Sequence, residues 1–229
     1  LADLPPAAIL TDIEGTTTPI AFVHEVLFPY ARARMAQFCQ LHADDPVIGE
    51  VARMAPDAPL AETLLGWMDR DEKITPLKTI QGMIWDQGYA RGEIVADLYE
   101  DVAPALRRWS KGGLRLYVYS SGSVAAQKLL FGHTPAGDLT GLFQGFFDTR
   151  AGAKREVDSY LGICRGANIS PGEYLFLSDV EAELDAAAAA GLRTCQLARA
   201  RDGTVASTRH QVAADFNEVA KIYGLPRGG

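Results

Sequence analysis

Apolar residues in this chain gather in short runs separated by polar, helix-forming stretches. Runs at 8–10, 114–119, 146–147, 174–177 and 194–197 each end in polar residues. Continuous apolar character over a few positions, closed by turn formers, suits strands buried on both faces. Helical patterns follow at 124–130, 155–164 and 181–190. Strands alternating with helices of that length predict parallel pairing through right-handed crossovers, and so a doubly wound α/β sheet.

One interval breaks the alternation. Between residues 11 and 114 the pattern holds no strand and reads as helices at 29–41, 46–54, 59–71, 77–88 and 102–110. Pro29, Pro46, Pro59 and Pro76 fall at or near helix starts, where the missing N–H does no harm. A structureless loop of that length is not expected inside a compact domain. The interval therefore predicts a helical cap domain at 19–100, inserted after the first strand of an α/β core made of 1–18 and 101–229.

Composition narrows the function classes. The 229 residues include 22 basic and 29 acidic side chains, for a net charge of -7. That balance argues against general binding to nucleic acid or anionic lipid. No stretch approaches the roughly 20 apolar residues of a membrane span, and the opening LADLPPAAIL lacks the features of a secretory leader. Cys39, Cys164 and Cys195 are odd in number and lack paired spacing, which predicts buried free thiols and a cytoplasmic setting. His24, His42, His133 and His210 likewise lack metal-ligand spacing.

Four segments carry candidate chemistry. The first strand runs into Asp12-Ile13-Glu14-Gly15-Thr16-Thr17-Thr18, two carboxylates just past a buried strand. The run 114–119 ends in Ser120-Ser121-Gly122-Ser123 at the start of a helix, a composition suited to cradling an anion. Lys154 opens the stretch 155–164, against the helix dipole, which is easier to understand beside an anion or a carboxylate cluster. The run 174–177 ends in Ser178-Asp179, with Glu183 one helical turn beyond; Glu181 and Asp185 would then point away. Alone, each has a plainer role: an Asp-capped turn, a serine helix cap, a solvated lysine, helix-start acids. Together they all follow sheet strands, which places them on one rim of the sheet. Carboxylates converging there repel one another unless a cation is present, and oxygen donors without His or Cys suit Mg²⁺. The serine loop and Lys154 complement a phosphoryl group.

These segments resemble the four motifs of the haloacid dehalogenase superfamily, and the resemblance spans essentially the whole chain, insertion included. More narrowly, Asp12 to Ile20, Phe22-Val23-His24, Leu27-Phe28-Pro29-Tyr30, Gln81-Gly82, Ile84-Trp85, Gly88-Tyr89, Tyr119 to Ser123 and Leu177 to Val180 are similar to the enolase-phosphatases of methionine salvage. Glu14 stands where most of the superfamily has Asp, as in that narrower family. The surroundings of Lys154 depart from the family pattern, and Arg150 and Arg155 stand close by as alternative cations.

The resemblance implies hydrolysis of a small phosphorylated substrate, 2,3-diketo-5-methylthiopentyl 1-phosphate, to an acireductone and phosphate by a monomer with Mg²⁺. Asp12 would be the nucleophile. Asp12, Asp179 and Glu14 would hold the metal, with Glu183 acting through water. Ser120, Ser121, Gly122 and Lys154 would bind phosphate, and Glu14 would be the general acid and base. Phe22, Lys78 and Trp85 are candidates to face the substrate, although ordinary packing explains the aromatics and a solvated face explains Lys78. Another phosphate monoester phosphatase of the superfamily is the alternative reading.

Overall fold

The computed structural model describes residues 4–227, so the outermost ends of the expected core segments lie outside the description. Six strands form one sheet: β1 (Ala8–Thr11), β2 (Arg115–Tyr119), β3 (Phe143–Phe147), β4 (Tyr174–Ser178), β5 (Arg193–Leu197) and β6 (Gln211–Ala213). Their order is β3-β2-β1-β4-β5-β6 and every pairing is parallel. β1 and β4 are buried at every position, the pattern of central parallel strands covered on both faces. The order reverses at β1, so the rim beside the ends of β1, β2 and β4 is the topological switch point where such sheets bind ligands.

The chain divides into two compact units, Ala21–Val95 and the combination of Leu1–Ile20 with Ala96–Gly229. The first is helical. It opens with a π-helix, Phe22–Leu27, that runs directly into α1 (Phe28–Leu41), followed by α2 (Pro46–Met54), α3 (Leu60–Asp69) and α4 (Thr75–Ala90). Met35, Leu64, Ile80 and Ile84 are buried in it. Trp85 and Phe22 are buried as well, and Trp85 Nε1 donates to the Leu27 carbonyl at 2.7 Å, which gives its indole N–H a partner. Gly88 lets α4 approach α1: a Cβ there would come within 2.7 Å of the Tyr30 ring.

The other unit carries α5 (Val102–Lys111), α6 (Val124–Gly132), α7 (Val157–Ala167), α8 (Glu181–Ala189) and α9 (Phe216–Ile222) around the sheet. Ala8, Leu10, Tyr117, Tyr119, Tyr174 and Phe176 form one core with Tyr160, Ile163 and Leu184 of α7 and α8. The alternate positions Ile9, Leu116, Val118, Leu175 and Leu177 are buried too, as period-two strands covered on both faces require. Trp109 of α5 stacks on Phe216 of α9 with centroids 5.0 Å apart. All three cysteines are buried and unpaired, as the sequence predicts. No helix among the described residues is long and apolar enough to cross a membrane.

Several elements differ from the sequence reading: β3 starts at Phe143, three residues before the expected run, and the π-helix Phe22–Leu27 is not expected from the pattern. β6 and α9 follow the last expected strand, where the sequence pattern gave no signal. The helix expected from residue 155 begins at Val157 with Glu156 as its cap, so Lys154 lies in the preceding turn. Lys154 therefore does not open the helix, and its position has another cause than the one expected from the sequence.

Candidate active site

The turn after β1 is built around one carbonyl. The N–H groups of Thr16, Thr17 and Thr18 all donate to Ile13 O, at 3.1, 2.8 and 2.9 Å, and Glu14 pairs with Thr18 as a β-bridge. Gly15 has φ +68°, and a Cβ there would collide with the Asp179 carboxylate. Only glycine therefore fits between the two strand ends. Asp12 is 5% exposed, and its Oδ1 accepts from the Ile13 N–H at 2.7 Å.

Lys154 supplies the cation. Its Nζ lies 2.7 Å from Asp12 Oδ1 and 2.6 Å from Glu183 Oε2. Burial favours the neutral amine, but the carboxylates of Asp12 and Glu183 outweigh it and hold Lys154 above its ordinary pKa. The turn that presents it is pinned by side chains: Tyr119 Oη donates to Gly152 O at 2.9 Å, Ser159 Oγ to Ala153 O at 2.8 Å, and Tyr160 Oη to Lys154 O at 2.7 Å. Arg150 instead pairs with Asp148 at 3.0 Å, and Arg155 is exposed, so Lys154 is the residue that meets Asp12.

From β4, Ser178 joins this group, a residue to which the sequence reading gave no role. Its Oγ donates to Glu183 Oε2 at 3.0 Å, lies 3.5 Å from Asp12 Oδ2, and accepts from the Val180 N–H at 3.1 Å. Burial, and then the charge of Asp12, push Glu183 upward, with Lys154 opposing. Asp179 is raised furthest, to about 7, by burial and then by Asp12. Its Oδ1 is buried without a partner. Glu181 and Asp185 face elsewhere, pairing with Arg209 at 2.9 and 2.7 Å.

The serine loop lies at the end of β2, whose neighbour in the sheet is β1. Ser120 is buried, its N–H bonded to Phe147 O at 3.1 Å and its Oγ accepting from the Gly122 N–H at 3.3 Å; Ser121 is exposed. Ser123 caps α6. Gln127 Nε2 donates to Gly122 O and Phe147 O, both at 2.8 Å, and fixes the loop from below. Asp148, at the end of β3, accepts from the Val124 N–H at 3.2 Å and from Arg150. Burial alone would raise its pKa, but hydrogen bonds from the Arg150 side chain and backbone and from Val124 hold it below the usual carboxylate value. Gln127 and Asp148 bear on the site only through tertiary contacts.

Among the described residues no group of three or more His, Cys, Asp or Glu side chains stands ready as a metal cage. The donor set nevertheless fits a hard cation that keeps most of its waters. Asp179 Oδ1 is an orphaned buried acceptor, burial and then the Asp12 charge raise its carboxyl, and the nearby carboxylates and hydroxyls offer oxygen ligands.

Comparison with known proteins gives the family. Residues 6–191 match the model of the haloacid dehalogenase-like hydrolases. The chain is 58% identical over 227 residues to enolase-phosphatase E1 of Granulibacter bethesdensis, covering 97% of this chain and 98% of that one. It is 56% identical over 223 residues to enolase-phosphatase E1 of Gluconacetobacter diazotrophicus, covering 96% and 95%. Among solved structures, the UTR4 protein of Saccharomyces cerevisiae superposes with a TM-score of 0.80 at 37% identity, covering 92% of this chain and 98% of that one. CbbY of Rhodobacter sphaeroides, at 17% identity and a TM-score of 0.62, shares the fold. The chain belongs to the haloacid dehalogenase-like hydrolases and, within them, to the enolase-phosphatase E1 family.

Proposed function

We propose that the protein is an enolase-phosphatase that converts 2,3-diketo-5-methylthiopentyl 1-phosphate to the acireductone and phosphate, as a cytoplasmic monomer in methionine salvage. The observation that carries the reading is the buried Asp12 carboxylate held between the Ile13 N–H and the Lys154 ammonium. An anchored carboxylate beside a fixed cation is a nucleophile aimed at an electrophile whose negative charge the same cation stabilises.

In this reading Asp12 attacks phosphorus in line, and the P–O bond to the substrate carbon breaks as the aspartyl-phosphate forms. Glu14 donates a proton to the departing oxygen, then takes one from the water that cleaves the aspartyl-phosphate. Lys154 stays protonated and offsets charge on Asp12 and on the phosphoryl oxygens. Ser120 and the N–H groups of Ser121 and Gly122 hold those oxygens. Asp12, Asp179 and Glu14, with Glu183 through water, would hold Mg²⁺, which would supply charge neutralisation for the phosphoryl group. Glu183 also orients Lys154 from the far side. Enolisation needs a base at the carbon α to a carbonyl, and Glu14 or a residue of the helical unit fills that role.

An anaerobic assay of the diketo phosphate, following acireductone absorbance and free phosphate together, tests the reading. Equal molar yields of both products are expected. Phosphate release without acireductone would assign the chain to another monoester phosphatase of the family.

A further inference from the structure

The chain leaves the core for the helical unit through residues 16–20 and returns through residues 96–101. Both passages meet one short segment after β5, beginning at Arg199. This arginine is 3% exposed. Its Nε and Nη2 both donate to Thr16 O, at 3.0 and 2.8 Å. Its Nη1 reaches both Asp101 oxygens, at 2.9 and 3.1 Å, and Ala214 O at 3.3 Å. The guanidinium lies over the Tyr99 ring at 4.1 Å and 5.4 Å from the Phe216 centroid. Tyr99 N–H donates to Thr17 O at 3.1 Å, and Tyr99 Oη donates to Asp202. Asp202 also accepts from the Ile20 N–H at 3.2 Å.

A buried ion pair is weak evidence for stability, because packed apolar side chains of similar volume often serve as well. What this one contributes is geometry. A planar fork that grips one carbonyl with two N–H groups and a carboxylate with a third fixes direction as well as distance. The carbonyl it grips belongs to the turn carrying Glu14. Three N–H groups of that turn converge on Ile13 O and the Glu14–Thr18 bridge closes it, so the turn shifts as one body. Holding Thr16 O therefore holds Glu14, two residues away.

We infer that Arg199, braced by Asp101, is a positioning residue that aims the Glu14 carboxyl at the leaving oxygen. The inference rests on the reading of Glu14 as general acid and extends it to a residue that does not touch the substrate. A misaimed acid matters in proportion to how badly the leaving group needs a proton. Weakening the clamp should therefore slow esters of poor leaving groups and spare esters of good ones, a selectivity that general loss of structure does not produce.

The test measures kcat/KM, which reports the steps through departure of the leaving group and not the later hydrolysis common to all esters, for alkyl phosphates and for p-nitrophenyl phosphate with the wild type, Glu14→Gln and Arg199→Lys, each folded by circular dichroism. Lysine keeps the charge and loses the fork. If Arg199→Lys does not fold, Asp101→Asn, which weakens the brace by removing its charge and one of its two acceptors, is measured in its place. The expected result is a loss of about 10²-fold for alkyl esters and a much smaller loss for the aryl ester, in both Glu14→Gln and the clamp variant. Dependence on the leaving group in Glu14→Gln but a uniform loss in the clamp variant would overturn the inference and leave the Glu14 reading intact. A uniform loss in both variants would overturn the Glu14 reading, and the inference with it.

Discussion

Lys154 Nζ lies 2.7 Å from Asp12 Oδ1, with both side chains less than a tenth exposed. The same ammonium meets Glu183 Oε2 at 2.6 Å, so one buried cation answers two buried carboxylates. Lys154 therefore holds the buried site together, and in the proposed reaction it also steadies the charge on Asp12.

Lys154→Met separates these two roles. It leaves Asp12 and Glu183 buried without their partner, and breaking a buried pair from one side costs about 3–5 kcal/mol. Differential scanning calorimetry should record a marked fall in Tm, and phosphate release should be lost. Adding Glu183→Gln to Lys154→Met removes one of the stranded charges, so the double variant should regain stability without regaining activity. A Tm unchanged in Lys154→Met would mean that the two carboxylates are solvated.

Asp148 carries a pH signature. Hydrogen bonds from Arg150 and the Val124 N–H keep its folded-state pKa below the unfolded value of about 3.9, against the effect of burial. A carboxyl lowered on folding adds stability that is fully present above the unfolded pKa and is lost as pH falls through the folded one. Asp148→Asn should therefore lower Tm above about pH 4, with the difference from the wild type shrinking in more acidic buffer. The substitution should also raise KM, because Asp148 anchors the N–H that follows the Ser120 loop. A gap in Tm that stays constant below pH 4 would remove the ionised carboxylate from the explanation.

Asp179 Oδ1 makes the metal prediction specific. A buried acceptor without a partner, in a carboxyl raised by its neighbour, should gain when a hard cation arrives. After exhaustive chelation, Mg²⁺ should restore activity and raise Tm, since a ligand that binds only the folded state stabilises it. Ca²⁺, which prefers more ligands and looser geometry, should restore little. Asp179→Asn should abolish the Mg²⁺-dependent rise in Tm, a readout independent of turnover. Full activity in the chelated protein, with metal absent by elemental analysis, would contradict the model.

Much of this was legible in the chain because parallel α/β sheets write their topology in local patterns. The buried runs ending at Thr11, Tyr119 and Ser178 mark strands, and the polar residues just beyond them fall on one rim. The fold class and the neighbourhood of Asp12, Ser120 and Asp179 follow from that. What escaped depends on contacts between distant residues. Ser178 reads as a polar residue just past a strand, and only the packing of β4 beside β1 turns its hydroxyl toward Asp12 and Glu183. Arg199 carries no signal in the sequence, yet it is buried because Thr16, Asp101 and Ala214 offer acceptors from three other segments. β6 is three residues long and carries the polar Gln211, so alternation had nothing to register. Lys154 was found for the wrong reason: two tyrosine hydroxyls and Ser159 hold its turn, and no helix dipole is involved.

The central claim is that Asp12 forms a covalent bond to phosphorus. The most direct measurement is rapid acid quench of the wild type during turnover of the diketo phosphate, borohydride reduction of any acyl phosphate, and mass spectrometry of the peptide containing residue 12. Reduction should convert the Asp12 carboxyl to an alcohol, in proportion to the trapped intermediate, and Asp12→Asn should give neither the product nor phosphate. Continued phosphate release with an unmodified Asp12, or the same modification at a different carboxylate, would contradict the claim.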